Sequence, residues 1–122
     1  MSSLYVLHGL RPWLIQRISA VYIALFIIYI AVTVAVSGDV SYQQWRDWLF
    51  HPLNTIAVGL FMIALLLHAW VGMRDIILDY IHHTLVRMLA LMLVIAVLTG
   101  CALWSVKILL LPLTQRVIDN NA

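Results

Sequence analysis

Three long stretches of this sequence carry no Asp, Glu, Lys or Arg: residues 18–36, 53–73 and 88–106, which are 19, 21 and 19 residues long. At about 1.5 Å of rise per residue, each spans roughly 30 Å as a helix, the thickness of a bilayer's hydrocarbon core. Lipid offers no partners for backbone N–H and C=O groups, so only helices and closed barrels cross it. Runs of this length match helices, not the ten-residue alternating strands of a barrel. The sequence therefore predicts an all-α integral membrane protein, one anchor domain over residues 1–122 with three transmembrane helices. Composition excludes the main alternative. The chain is 65% hydrophobic and 10% charged, with a mean hydropathy of +1.04, against about 45–50% and 25% in soluble domains. A soluble enzyme with a cleft of titratable groups does not fit those figures. Three helices of this length also cannot enclose a large internal site, so the chain is expected to be part of a larger heteromeric helix bundle.

The net charge of +2 comes from seven Lys/Arg and five Asp with no basic block, too small and too scattered to suggest nucleic-acid binding, and no nucleic-acid partner is expected. Three spans put the two chain ends on opposite sides of the membrane. Arg11, Arg17, Arg74 and Arg87 fall on the N-terminal side, and Arg46, Lys107 and Arg116 on the other. Four basic residues against three favour a cytoplasmic N-terminus. The first apolar run is longer than a signal-peptide core and ends in a turn, so it is expected to be a retained span. No Arg- and Ser-rich transit segment is present, and a bacterial inner membrane is the expected location. Cys101 is the only cysteine and lies inside the third run, where a small apolar packing role is expected and no disulfide within the chain is possible.

Between the first two runs, Ser37-Gly38-Asp39 reads as a turn, and Ser41 with Gln44 has capping-box spacing. Trp45, Trp48 and Leu49 then recur at helical spacing beside Gln44, Arg46 and Asp47, the pattern of a short interfacial helix. Pro52 suits the first turn of the second span, where its missing N–H has no intrahelical partner. Pro112 suits the terminus of the third, Lys107 can snorkel outward, and the polar residues from Gln115 to Ala122 are expected to fray. Small residues for close helix contact include Ala20, Ala24, Ala31, Ala35, Gly59, Ala64 and Gly100.

Only His68, of five histidines, stands inside a span. Imidazole in lipid either hydrogen-bonds a neighbouring helix or meets a cavity or cofactor. Gly72 lies four residues on, one turn away on the same face, and either permits close helix packing or leaves room for a flat macrocycle. Neutral imidazole is a common axial ligand of haem iron, and one intramembrane histidine supplies only half of a bis-histidine site. Arg17, just ahead of the first run, stands at the level of His68 and is either a lipid-phosphate anchor or a partner for haem carboxylates. Asp79 is eleven residues from His68, close to three turns, and projects from a similar face if the helix continues. Tyr80 offers a phenol O–H at the membrane boundary, where it serves either as an interfacial belt residue or as a donor to a quinone carbonyl.

The run His68-Ala69-Trp70-Val71-Gly72-Met73-Arg74, with Asp79-Tyr80 beyond it, resembles the haem-and-quinone segment of the D-type hydrophobic membrane anchors of succinate dehydrogenase, respiratory complex II. Trp13-Leu14-Ile15-Gln16-Arg17-Ile18-Ser19-Ala20 is similar to that family's W-x-x-Q-R-x-S/T-A approach to its first helix, and the Ser37-Gly38-Asp39 turn leading to Tyr42 and Trp45 is also similar. The likeness covers nearly the whole chain. It implies a non-catalytic subunit that helps bind haem b and ubiquinone and docks the catalytic subunits to the membrane. His68 would be one axial ligand of the haem iron, the other coming from a C-type anchor subunit. Arg17 would lie near the haem propionates, and Tyr80 with Asp79 would contact ubiquinone. The flavin and iron–sulfur clusters would reside in a flavoprotein subunit and an iron–sulfur subunit. The alternatives are an anchor of a fumarate reductase-type quinone enzyme and a cofactor-free structural membrane protein.

Overall fold

The computed structural model describes residues 2–122, with side chains from residue 6 onward. It contains four helices: α1 (Ser2–Ser37), α2 (Tyr42–Phe50), α3 (Pro52–Tyr80) and α4 (Thr84–Asn121). Helices α1, α3 and α4 are each long and apolar enough to cross a membrane. They contain the three charge-free runs and continue past them: α1 has 36 residues, α3 29 and α4 38. These correspond to about 54, 44 and 57 Å, so every span projects beyond the hydrocarbon layer.

The helix ends follow local chemistry. After Ser37 the chain turns at Gly38, whose φ of +66° is the left-handed conformation that glycine adopts without a Cβ clash. Ser41 then caps α2 as its spacing predicts. The Gln44 N–H donates to Ser41 Oγ at 3.3 Å, and the Ser41 N–H donates to Gln44 Oε1 at 2.9 Å. Pro52 opens α3 at its first turn. Thr55 Oγ1 donates to the Leu49 carbonyl at 2.6 Å and Asn54 Nδ2 to the Trp48 carbonyl at 2.9 Å, which ties the end of α2 to the start of α3.

The C-terminal expectation is corrected. Pro112 does not end the third span and the tail does not fray: α4 runs through a buried Pro112 to Asn121. Proline removes one i→i−4 hydrogen bond, here to the Ile108 carbonyl, but nothing beyond it demands a turn. The segment after Pro112 contains no glycine, and Gln115 is held where Arg46 Nη2 of α2 donates to its Oε1 at 2.7 Å.

Helix α3 is the central element. It packs against α1, α4 and α2. The α1–α3 seam is antiparallel and largely aromatic. Phe26 stacks on Phe61 with ring centroids 4.6 Å apart, Tyr22 donates to the Ala57 carbonyl at 2.8 Å, and Tyr29 donates to Asn54 Oδ1 at 3.0 Å. Tyr29 in turn packs on Trp48, which stacks on Trp45 at 5.1 Å, so the column extends into α2. On the other side, Gly59 admits Leu109 Cδ1 of α4 to 3.7 Å of where a Cβ would stand. Gly100 has no such neighbour among the described residues, and Ala31 and Ala35 are exposed. Among the described residues the buried apolar side chains are Phe26, Val71, Ile77 and Pro112. Most of the other large apolar side chains face outward, as expected where lipid or partner helices are the solvent.

Candidate functional site

The polar side chains of the α1–α3 seam gather around His68. Two α1 residues three positions apart reach the imidazole from one face: Ser19 Oγ lies 3.3 Å from His68 Nδ1, and Gln16 Nε2 lies 3.5 Å from His68 Nε2. Ser19 also donates to the Gln16 carbonyl at 3.1 Å, an i→i−3 bond that a serine can make without leaving the helix. Ser19 is only 5% exposed, which leaves its hydroxyl no partner outside the seam. Gln16 Oε1 is buried and without a hydrogen-bond partner among the described residues. Such an atom is costly in an apolar surrounding.

Gly72 belongs to this cluster. A Cβ there would meet Gln16 Nε2 at 3.5 Å, an ordinary van der Waals distance. Within this chain the missing side chain accommodates the Gln16 amide, which is the close-packing role.

Arg17 follows Gln16 in α1 and so stands at the level of His68, but its side chain points elsewhere. The guanidinium lies 5.6 Å from the Trp13 ring centroid, is exposed, and has no carboxylate partner among the described residues. Arg74 and Asp75 pair with each other at 2.9 Å.

Because α3 continues unbroken to Tyr80, the condition for placing Asp79 is met, and its position falls on the same face as His68. Asp79 and Tyr80 are exposed, Tyr80 by 80%, and neither side chain makes a hydrogen bond among the described residues. Twelve residues of helix set Tyr80 about 18 Å from His68 along the axis. The chain thus presents two separate features on one helix, a half-buried imidazole in mid-span and an open phenol–carboxylate pair at the end.

Sequence reasoning did not assign Gln16 and Ser19 to His68. Their i, i+3 spacing at the start of an apolar run was the available signal, since it puts two polar side chains on one helix face. Only the register of α1 against α3 says what that face meets.

Residues 4–104 match the succinate dehydrogenase/fumarate reductase transmembrane subunit family, a stretch that contains the His68 cluster, Asp79 and Tyr80. The chain belongs to this family. Similar relatives include the succinate dehydrogenase hydrophobic membrane anchor subunit of Coxiella burnetii, 31% identical over 84% of this chain and 89% of the relative. The proteins of the same name from Rickettsia felis and Rickettsia conorii are 33% and 32% identical. Those matches cover 60% and 65% of this chain and 61% and 64% of the relatives. The family likeness stated from the sequence is therefore sound, as is the expectation of an all-α, multi-pass membrane subunit.

The family raises the question of a haem, and the His68 cluster is chemically compatible with one. With Nδ1 bound by Ser19, Nε2 would be the nitrogen available to a metal, the usual division of labour in a ligating histidine. What touches Nε2 is a long contact to an amide whose other end is unsatisfied. An apolar groove lined by Ile15, Ile18, Tyr22, Leu60, Ala64 and Leu67 opens beside Ser19.

Proposed function

We propose that this chain is the D-type membrane anchor of a succinate:ubiquinone oxidoreductase, in a bacterial inner membrane with its N-terminus in the cytoplasm. It is non-catalytic on its own and serves aerobic electron transport and the tricarboxylic acid cycle. The observation that carries this reading is the family match over residues 4–104, which takes in the half-buried His68 and the Asp79–Tyr80 helix end together. The family description also covers fumarate reductase, but the three relatives all carry the succinate dehydrogenase name, which favours that assignment.

In this reading the C-type anchor lies against the outward apolar faces, and the flavoprotein and iron–sulfur subunits dock on the side bearing Tyr80. His68, together with a histidine of the C-type anchor, would hold haem b, which when bound would supply a one-electron store. Arg17, which lies over Trp13 in the free chain, would supply the cation for the propionates, a charge-assisted contact that low dielectric strengthens. Tyr80 donates its O–H to a ubiquinone carbonyl as negative charge develops on that oxygen, and preorganised donors of this kind lower the barrier to reduction. Asp79, one residue away, orients the phenol or relays protons from water.

The test is a purified complex carrying His68→Leu. Loss or marked disturbance of the haem b optical band, with the four subunits still co-purifying, is expected. An unaltered reduced-minus-oxidised spectrum would remove His68 from the ligand set.

A further inference from the structure

We propose that Ser19 is the positioning residue for His68, holding the imidazole in its Nδ1–H form with the Nε2 lone pair turned toward iron, while Gln16 covers that lone pair until iron takes it. This rests on the haem reading above.

A serine hydroxyl has one proton, and we assign it to the Gln16 carbonyl, the shorter of its two contacts at 3.1 Å against 3.3 Å to Nδ1. Ser19 Oγ, 3.3 Å from Nδ1, can then only accept, so the ring proton sits on Nδ1. A neutral imidazole with its proton there carries its lone pair on Nε2. The atom facing Nε2 is the Gln16 amide nitrogen, which has only protons to offer, so the loop of donors closes without conflict. Both contacts are long for N–H hydrogen bonds, the 3.5 Å one to Gln16 more so than the 3.3 Å one to Ser19, and the same amide leaves Oε1 buried and unpaired. Gln16 is thus a weakly held cover. Nε2 has one lone pair, so an iron bound there excludes the amide.

Ser19 has a different fate, because its partner is the nitrogen that iron does not use. A hydrogen bond from Nδ1–H to a buried acceptor raises the basicity of the ring. A more basic ligand favours the ferric state, so Ser19 is expected to hold the haem potential down. Gln16, displaced on loading, is expected to have no such effect.

The experiment uses the purified complete complex with Ser19→Ala, Ser19→Thr, Gln16→Leu and His68→Leu variants. It measures haem b per complex, the haem midpoint potential and the low-spin ferric resonance, with succinate oxidation by an artificial acceptor as a check on assembly. Ser19→Ala should raise the midpoint, by as much as a tenfold change in the ferric/ferrous ratio, about 59 mV for one electron. It should also move the ferric resonance, and Ser19→Thr should restore both. If Ser19→Ala instead loses haem, restoration by threonine supports the proposal equally. Gln16→Leu should retain haem at the unsubstituted midpoint. An unchanged midpoint and resonance in Ser19→Ala, a defect that threonine does not repair, or a Gln16→Leu shift as large as that of Ser19→Ala would each overturn the proposal. Haem retained with an unaltered spectrum in His68→Leu would overturn the parent reading instead.

Discussion

Tyr80 and Gly72 show how differently two residues of one helix depend on their neighbours. Tyr80 is 80% exposed and makes no hydrogen bond among the described residues, so removing its hydroxyl leaves nothing unsatisfied there. Tyr80→Phe is therefore expected to leave the complex assembled and succinate oxidation by an artificial acceptor intact, while quinone reduction falls by about 10²-fold or more, the scale of one lost oxyanion donor. Unchanged quinone turnover would remove Tyr80 from the site. Gly72 is the opposite case. A methyl there meets Gln16 Nε2 at 3.5 Å and is tolerated, whereas a leucine must push α1 away. Gly72→Ala should keep haem and subunit stoichiometry, and Gly72→Leu should lose haem before it loses the soluble subunits. Both are read from the composition of the purified complex. If the two variants behave alike, Gly72 is not a packing position.

The elements were legible in the sequence to different degrees, and the differences have causes. The spans were readable because charge exclusion from lipid is the largest energy in the problem. Helix α2 was readable from the Ser41/Gln44 spacing and the Trp45, Trp48, Leu49 periodicity, which are local signals. The extension of α4 to Asn121 was not, because Arg46 and Gln115 are 69 residues apart and only the packed chain joins them. Two predictions belong to this scale. Ser41→Ala should cost α2 about 1 kcal/mol, the usual worth of an N-cap, seen as faster hydrogen exchange across residues 42–50. Phe26→Ala removes the stack on Phe61, worth about 1 kcal/mol beyond its area, and should lower the thermal midpoint of the complex. An unchanged midpoint would mean that partner helices, not the α1–α3 seam, hold α1 in place.

At the scale of the whole molecule, the notable property is how little of it is internal. With α3 packed between α1 and α4, and only Phe26, Val71, Ile77 and Pro112 as buried apolar side chains among the described residues, most of the apolar surface awaits lipid or partners. Expressed without the other subunits, the chain is expected to be degraded or to self-associate in mild detergent. A stable, haem-containing monomer would contradict the shared-site reading. Topology gives a second check. The N-terminus and the α3–α4 connection lie on one side, and α2 and the C-terminus on the other. A reporter that folds only outside the cytoplasm should be active when fused after Ala122 and silent at the N-terminus; the reverse pattern would invert the proposed orientation.

Charge-free runs of 19–21 residues were enough, by themselves, to determine three spans, and the motifs around His68 and Tyr80 were enough to indicate the family, because both are short-range properties of the chain. What the tertiary structure alone decided is what His68 touches. The register of α1 against α3 brings Gln16 and Ser19 onto the two ring nitrogens, and a contact across 49 to 52 residues is set by the packing of whole helices. Tyr80 and Asp79 remain open in this chain for a related reason: the helix that carries them ends beyond the last intrachain partner.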